Sequence, residues 1–117
     1  MEIVVKLTFM SGPSDGNSIQ ITLKDNMPEI IIGRSEECTL SIPNDAEISR
    51  KHARLRLNGQ CRWQLEDLNS TNGTYVGEFI KAKRISIPIQ LEYGEIFRLG
   101  RTCLRLETVT QNEDKPN

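Results

Sequence analysis

From Glu2 to Phe9 apolar side chains fall at every second position, with Ile3, Val5, Leu7 and Phe9 on one side and Glu2, Lys6 and Thr8 among those on the other. Successive side chains of a strand point to opposite faces, so this alternation predicts a half-buried β-strand. Ser11 to Ser18 is rich in Gly, Ser, Pro and Asp, residues that turn the backbone, after which Ile19, Ile21 and Leu23 resume the alternation. The two segments are expected to pair as a hairpin.

The β-branched run Ile30 to Ile32 stops at Gly33, and Cys38 to Ile42 reads as a further short extended piece. His52 to Leu57 alternates again, with Ala53, Leu55 and Leu57 opposed to His52, Arg54 and Arg56. Asn58-Gly59 is a dipeptide that tight hairpin turns favour, and the returning strand is expected to carry Cys61, Trp63 and Leu65 on its apolar side. Turn signals recur at Asn72-Gly73, Gly77-Glu78, Tyr93-Gly94 and Gly100-Arg101. Between them lie the short apolar pieces Tyr75-Val76, Phe79-Ile80, Ile85 to Ile89, Ile96 to Leu99 and Cys103 to Leu106. Asn72-Gly73 is read as another hairpin turn. No stretch keeps a helical period, so many short strands with closely spaced turns predict an all-β sandwich or barrel. Thr110 to Asn117 is polar and reads as a tail or the start of a linker, which leaves residues 1–109 as one domain.

Length and composition narrow the function classes. A chain of 117 residues suits one domain, and folding at this size buries roughly two-thirds of the surface of the unfolded chain. No apolar run reaches the ~20 residues of a membrane span, and Met1-Glu2 opens no secretory signal, so an intracellular, cytoplasmic protein is expected. The formal net charge of −1 gives no long-range attraction to nucleic acid or anionic membrane, so neither is expected as a partner. Any bound anion must be held by a local cluster. Cys38, Cys61 and Cys103 are odd in number, widely spaced and outside any metal-ligand pattern, which predicts reduced, partly buried thiols. With one histidine, His52, and scattered carboxylates, no metal site, cofactor loop or acid–base pair can be assembled, so an enzyme is not expected. The basic run Lys81, Lys83, Arg84 is read as a solvated strand edge without a site role.

Three loop segments at strand ends carry chemistry: Gly33-Arg34, Ser49-Arg50-Lys51-His52 and Asn69-Ser70-Thr71-Asn72-Gly73-Thr74. Together they supply a guanidinium, hydroxyls, a carboxamide and backbone N–H groups, which suit a phosphate dianion with three acceptor oxygens. Each alone has a plain reading as a surface arginine, a turn serine or a turn dipeptide. Their conjunction inside an all-β pattern is what makes them specific.

The ordered set resembles the forkhead-associated (FHA) family, whose pattern runs from G-R through S-x-x-H to an S-T-N-G-T loop. Here these are Gly33-Arg34, Ser49-x-x-His52 and Ser70-Thr71-Asn72-Gly73-Thr74, without departure at the core positions. The resemblance implies a sandwich of about eleven short strands with a phosphate site in loops at one end. It implies phosphothreonine-dependent binding of a protein marked by a Ser/Thr kinase, with phosphothreonine preferred to phosphoserine and no cofactor. By the same resemblance Arg34 and Ser49 contact the phosphate with help from Thr71 and Arg50, while Asn72 bonds the peptide main chain. Gly33, His52, Ser70 and Gly73 would support the site, His52 by tying loops together. Asp45 and Glu47 make the loop before Ser49 acidic, which is expected to favour a basic side chain in the ligand. The alternative from another class is a phosphate-independent docking module that uses a sheet edge or face.

Overall fold

The computed structural model describes residues 2–24, 26 and 28–108, and the side chain of Phe79 is outside the description; the polar segment 110–117 therefore lies beyond the described residues. Eleven strands form two sheets. They are β1 (Ile3–Phe9), β2 (Ser18–Leu23), β3 (Glu29–Gly33), β4 (Leu40–Ser41), β5 (Ala53–Leu57), β6 (Trp63–Asp67), β7 (Thr74–Val76), β8 (Lys83–Arg84), β9 (Ile89–Leu91), β10 (Ile96–Leu99) and β11 (Thr102–Glu107). The six-stranded sheet runs β2-β1-β11-β10-β7-β8 and the five-stranded sheet β4-β3-β5-β6-β9. Every pairing is antiparallel except β3 with β4. Among the described residues the one helical piece is a 3₁₀ turn, Phe79–Lys81.

Alternation turns this layout into a core. Val5, Leu7, Phe9, Phe97, Leu99, Leu104 and Leu106 come from one sheet, and Ile30, Ile32, Leu55, Trp63, Leu65 and Leu91 from the other, all in one buried cluster. Each apolar side chain fully buried this way contributes roughly 1.5–3 kcal/mol relative to exposure, and the interior closes around Trp63. Its indole N–H donates to the Tyr93 hydroxyl at 3.2 Å, so the polar tip of a buried aromatic is satisfied at the rim.

The β1–β2 hairpin forms as the alternation predicts, with Val5 opposite Ile21 and Leu7 opposite Ile19. Several local expectations are corrected. The β5–β6 turn is not the tight two-residue form: Asn58 N–H donates to Arg62 O, Cys61 N–H donates to Asn58 O, and the left-handed residue is Cys61 at φ 60°. Asn58 Oδ1 accepts from the N–H groups of Gln60 and Arg62 and so stabilises the longer loop. Cys61 is accordingly exposed at the turn and not inward on β6. Asn72-Gly73 is no hairpin either, because β6 and β7 belong to different sheets and the chain crosses between them there. Phe79-Ile80 is 3₁₀ with Ile80 fully exposed, and of Ile85 to Ile89 only Ile89 enters a strand.

Candidate functional site

Strand register brings the three loop segments to one end of the sandwich. Ile32 of β3 lies opposite Ala53 of β5, and Ala53 lies opposite Asp67 of β6. β3 ends, β5 begins and β6 ends on one row, so the segments beyond that row must meet. Backbone bonds continue the ladder into the loops: His52 N–H donates to Ile32 O, Leu68 N–H to His52 O, Arg34 N–H to Ser49 O and Ser35 N–H to Arg50 O, all between 2.9 and 3.1 Å. Gly33 permits the approach of the first two loops. A Cβ there would stand 2.1 Å from Arg50 O and 2.9 Å from Cys38 Sγ, which only a residue without a side chain avoids. The Cys38 thiol donates to the same carbonyl at 3.1 Å, and burial raises its pKa, so it stays protonated as that donor.

His52 joins the second loop to the third. It is fully buried; its Nδ1 accepts from Ser49 N–H at 3.0 Å and its Nε2 lies 2.8 Å from Gly73 O. With Nδ1 accepting, the proton sits on Nε2 and the ring is neutral. Desolvation by burial lowers its pKa, which the Gly73 carbonyl, Asp67 and Asp45 only partly offset.

The third loop is built on Asp67. Its Oδ2 accepts from Ser70 N–H at 3.0 Å, and its Oδ1 accepts from the hydroxyls of Ser70 at 2.5 Å and Thr74 at 2.6 Å. Burial opposes ionisation of this carboxyl, but the hydrogen bonds from Ser70 and Thr74 and the nearby His52 outweigh it and hold the pKa below its ordinary value. Ser70 Oγ in turn accepts from Gly73 N–H at 2.9 Å. Asn69 and Gly73 take left-handed conformations, with φ 59° and 88°, and the loop curls back over its own aspartate.

The outward groups differ from this satisfied underside. Arg34 is exposed, and its Nε–H donates to Ile48 O at 3.0 Å, which orients the guanidinium and leaves the terminal nitrogens open. Ser49 Oγ accepts from Thr71 N–H at 3.0 Å, so its own hydroxyl hydrogen remains to be donated. Thr71 is exposed. Asn72 donates one Nδ2 hydrogen to Glu47 O at 2.9 Å and keeps Oδ1 and its second hydrogen toward solvent. Arg34, Ser49, Thr71 and Asn72 thus stand together as a cluster made mostly of donors. Arg50 shares the loop, but its side chain makes no hydrogen bond or ion pair among the described residues.

One expectation for this region is overturned. Asp45 is 2 % exposed and cannot meet a ligand. Its carboxylate accepts from Glu47 N–H at 3.1 Å, Arg101 N–H at 2.9 Å and the Thr102 hydroxyl at 2.7 Å, which ties the β4–β5 loop to the β10–β11 turn. Of the acidic pair only Glu47 is exposed. Asp67, Thr74 and Asp45 are the polar residues of the region that the sequence reading did not single out as supports. For Asp67 the spacing Asp67-x-x-Ser70 was a usable signal, since an aspartate commonly bonds the backbone a few residues ahead of it.

A two-sheet, mainly antiparallel sandwich with an Arg, Ser, Thr and Asn donor cluster on three loops at one end defines a loop-based recognition domain. The FHA domain family matches residues 30–100, and the chain belongs to that family. It is 37 % identical over 87 residues to the FHA domain-containing protein FhaB of Mycobacterium tuberculosis, covering 74 % of this chain and 51 % of the relative. The FhaB of Mycolicibacterium smegmatis is 39 % identical over the same length, and the M. tuberculosis protein FhaA is 34 % identical over 99 residues, 16 % of its length. The chain therefore spans about half the length of the FhaB relatives. A solved FHA domain, described in a study of phosphothreonine-dependent FHA domain interactions, superposes with TM-score 0.70 at 30 % identity, over 92 % of this chain and 99 % of that one. The FhaA FHA domain, solved in complex with the intracellular domain of Rv3910, gives TM-score 0.63 at 31 % identity, covering 88 % and 99 %.

Proposed function

We propose that the chain is a phosphothreonine-dependent binding module that docks a segment of another protein marked by a Ser/Thr kinase. One observation carries this reading. Every supporting polar group beneath the three loops is already hydrogen-bonded, whereas the outward groups of Arg34, Ser49, Thr71 and Asn72 retain unused donors. A phosphate dianion presents three acceptor oxygens and matches the open terminal nitrogens of Arg34 and the hydroxyls of Ser49 and Thr71. Asn72, with one donor and one acceptor left, matches the N–H and C=O of an extended peptide beside the phosphoresidue. Arg50 lies near enough in the chain to add charge at the phosphate. Glu47, joined through its carbonyl to Asn72, favours a basic side chain in the ligand.

The same geometry supports binding without catalysis. The sole histidine has both ring nitrogens engaged by backbone groups and offers no free base. The dependence on kinase-marked ligands also supports a cytoplasmic setting.

The test is calorimetric titration of a degenerate phosphothreonine peptide pool, and of its unphosphorylated counterpart, into wild type and Arg34→Ala. Hydrogen bonds to charged groups contribute roughly 1.5–3 kcal/mol, so the substitution should weaken phosphopeptide binding at least about tenfold. Equal binding by the folded variant, or binding indifferent to phosphate, overturns the assignment.

A further inference from the structure

Beside the donor cluster, on the outer flank of the third loop, lies a depression of about 370 Å3 lined by Glu66, Asp67, Asn69, Arg84, Ile85 and Ile87 among others. Its charged groups are unequally committed. Glu66 is bound by the guanidinium of Arg54, and Asp67 by Ser70 and Thr74. The side chain of Arg84 takes part in no ion pair or hydrogen bond among the described residues. Arg84 is therefore the one charged side chain lining the depression that has no partner among the described residues.

Arg84 is also held close to the site. A Cβ placed on Gly73 would stand 2.5 Å from Arg84 Nε and 2.8 Å from Cζ, so the guanidinium stem lies across the glycine that follows Asn72. Pairing fixes this position: Arg84 lies opposite Tyr75, and Ile85 N–H donates to Thr74 O at 2.9 Å. Arg98, opposite Tyr75 from the other side, stacks on the Tyr75 ring with its Cζ 4.2 Å from the centroid. Residues directly opposite each other share a sheet face, so Arg84, Tyr75 and Arg98 form one row beginning at the third loop. Arg98 is already turned to Gly100 O at 2.8 Å. A role confined to blunting the sheet edge is met by Lys83, the other residue of β8, which lies opposite the core-packed Val76.

We infer that Arg84 is a specificity residue that recognises a second anionic group in the phosphopeptide, on the stretch of ligand running past Asn72 and over Gly73. The chemistry shared by the possible groups is a carboxylate or phosphate oxygen pair facing a planar guanidinium fork. This rests on the phosphopeptide reading above. The ligand side chain reaches Arg84 across the outer flank of the loop, with Ile85 and Ile87 as its apolar border.

The experiment is position-by-position selection from a peptide library with a fixed phosphothreonine, flanking positions drawn from all amino acids plus phosphoserine, on wild type, Arg84→Gln and Arg84→Lys. Thermal unfolding confirms that the variants fold, as an exposed two-residue edge strand allows. Wild type should enrich Asp and Glu, or phosphoserine, at one flanking position, the two arms distinguishing carboxylate from phosphate. Arg84→Gln should abolish that enrichment and weaken the best acidic peptide roughly twofold to fivefold, as for partly solvated ion pairs. Arg84→Lys should retain part of it, and the requirement for phosphothreonine and Arg34 should persist in both. An identical preference profile in wild type and Arg84→Gln, with phosphothreonine still required, overturns the role of Arg84 alone. Loss of phosphothreonine dependence in wild type overturns the parent reading and this inference with it.

Discussion

Both ring nitrogens of His52 are committed to backbone groups, Nδ1 accepting from Ser49 and Nε2 donating to Gly73, and the ring is buried. Its pKa in the folded chain lies below the ordinary 6.5 because burial disfavours the imidazolium. Well above pH 6.5 the ring is neutral in both states and costs nothing; as pH falls through 6.5 the unfolded chain takes up a proton that the folded chain resists. Stability should therefore decline as pH falls from 6.5 toward the folded pKa, and the decline should stop once the folded ring itself titrates. Urea unfolding at pH 7.5, 6.5 and 5.5 measures it. His52→Gln should be less stable at pH 7.5 by about 1–3 kcal/mol for each backbone group left unpaired, and should lack the histidine part of the slope. An unchanged slope would remove His52 as its source. The position of this residue was legible in Ser49-x-x-His52, whereas its bond to Gly73 was not, since that contact depends on the path of a loop 21 positions away.

The loops depend on elements that hold them from below, and Asp45 shows how. Its buried carboxylate joins the β4–β5 loop, which carries Ser49, to the turn between β10 and β11 in the other sheet. Asp45→Ala leaves the Arg101 N–H and the fully buried Thr102 hydroxyl without that acceptor. The expected cost is at least about 2 kcal/mol, read as a lower urea midpoint, with weaker phosphopeptide binding as Ser49 loses its anchorage. Asp45→Asn, which keeps an acceptor oxygen, should recover part of both; a variant as stable as wild type would show that the pin is dispensable. Strands were readable where apolar and polar positions alternate, as in β1, β2 and β5, because one face of each packs on the core. Sequence could not show that Asn72-Gly73 crosses between sheets, since a positive-φ glycine serves a hairpin and a crossing equally well. Nor could an acidic letter at position 45 reveal whether its carboxylate faces solvent or a buried threonine.

At the scale of the whole molecule the charge is nearly balanced, with a formal net charge of −1, so phosphate recognition must arise from short-range groups at one end of the sandwich. That makes affinity sensitive to the ligand's own charge. The second ionisation of a phosphoresidue lies near pH 6, so binding should weaken as pH falls from about 7.5 to 5.5, the dianion giving way to a monoanion with one fewer charge for Arg34 and one oxygen protonated. Loosening of the loops through His52 would act in the same direction, so the two causes have to be separated. A difluorophosphonate analogue of phosphothreonine, whose second ionisation is lower, remains dianionic to a lower pH. If the ligand's charge governs the profile, the phosphothreonine peptide should lose affinity at a higher pH than the analogue. If His52 governs it, both peptides should weaken together and track the unfolding data. A flat profile for both would mean that the donor cluster binds the monoanion as well as the dianion, and would remove the ligand's second charge as a determinant of affinity.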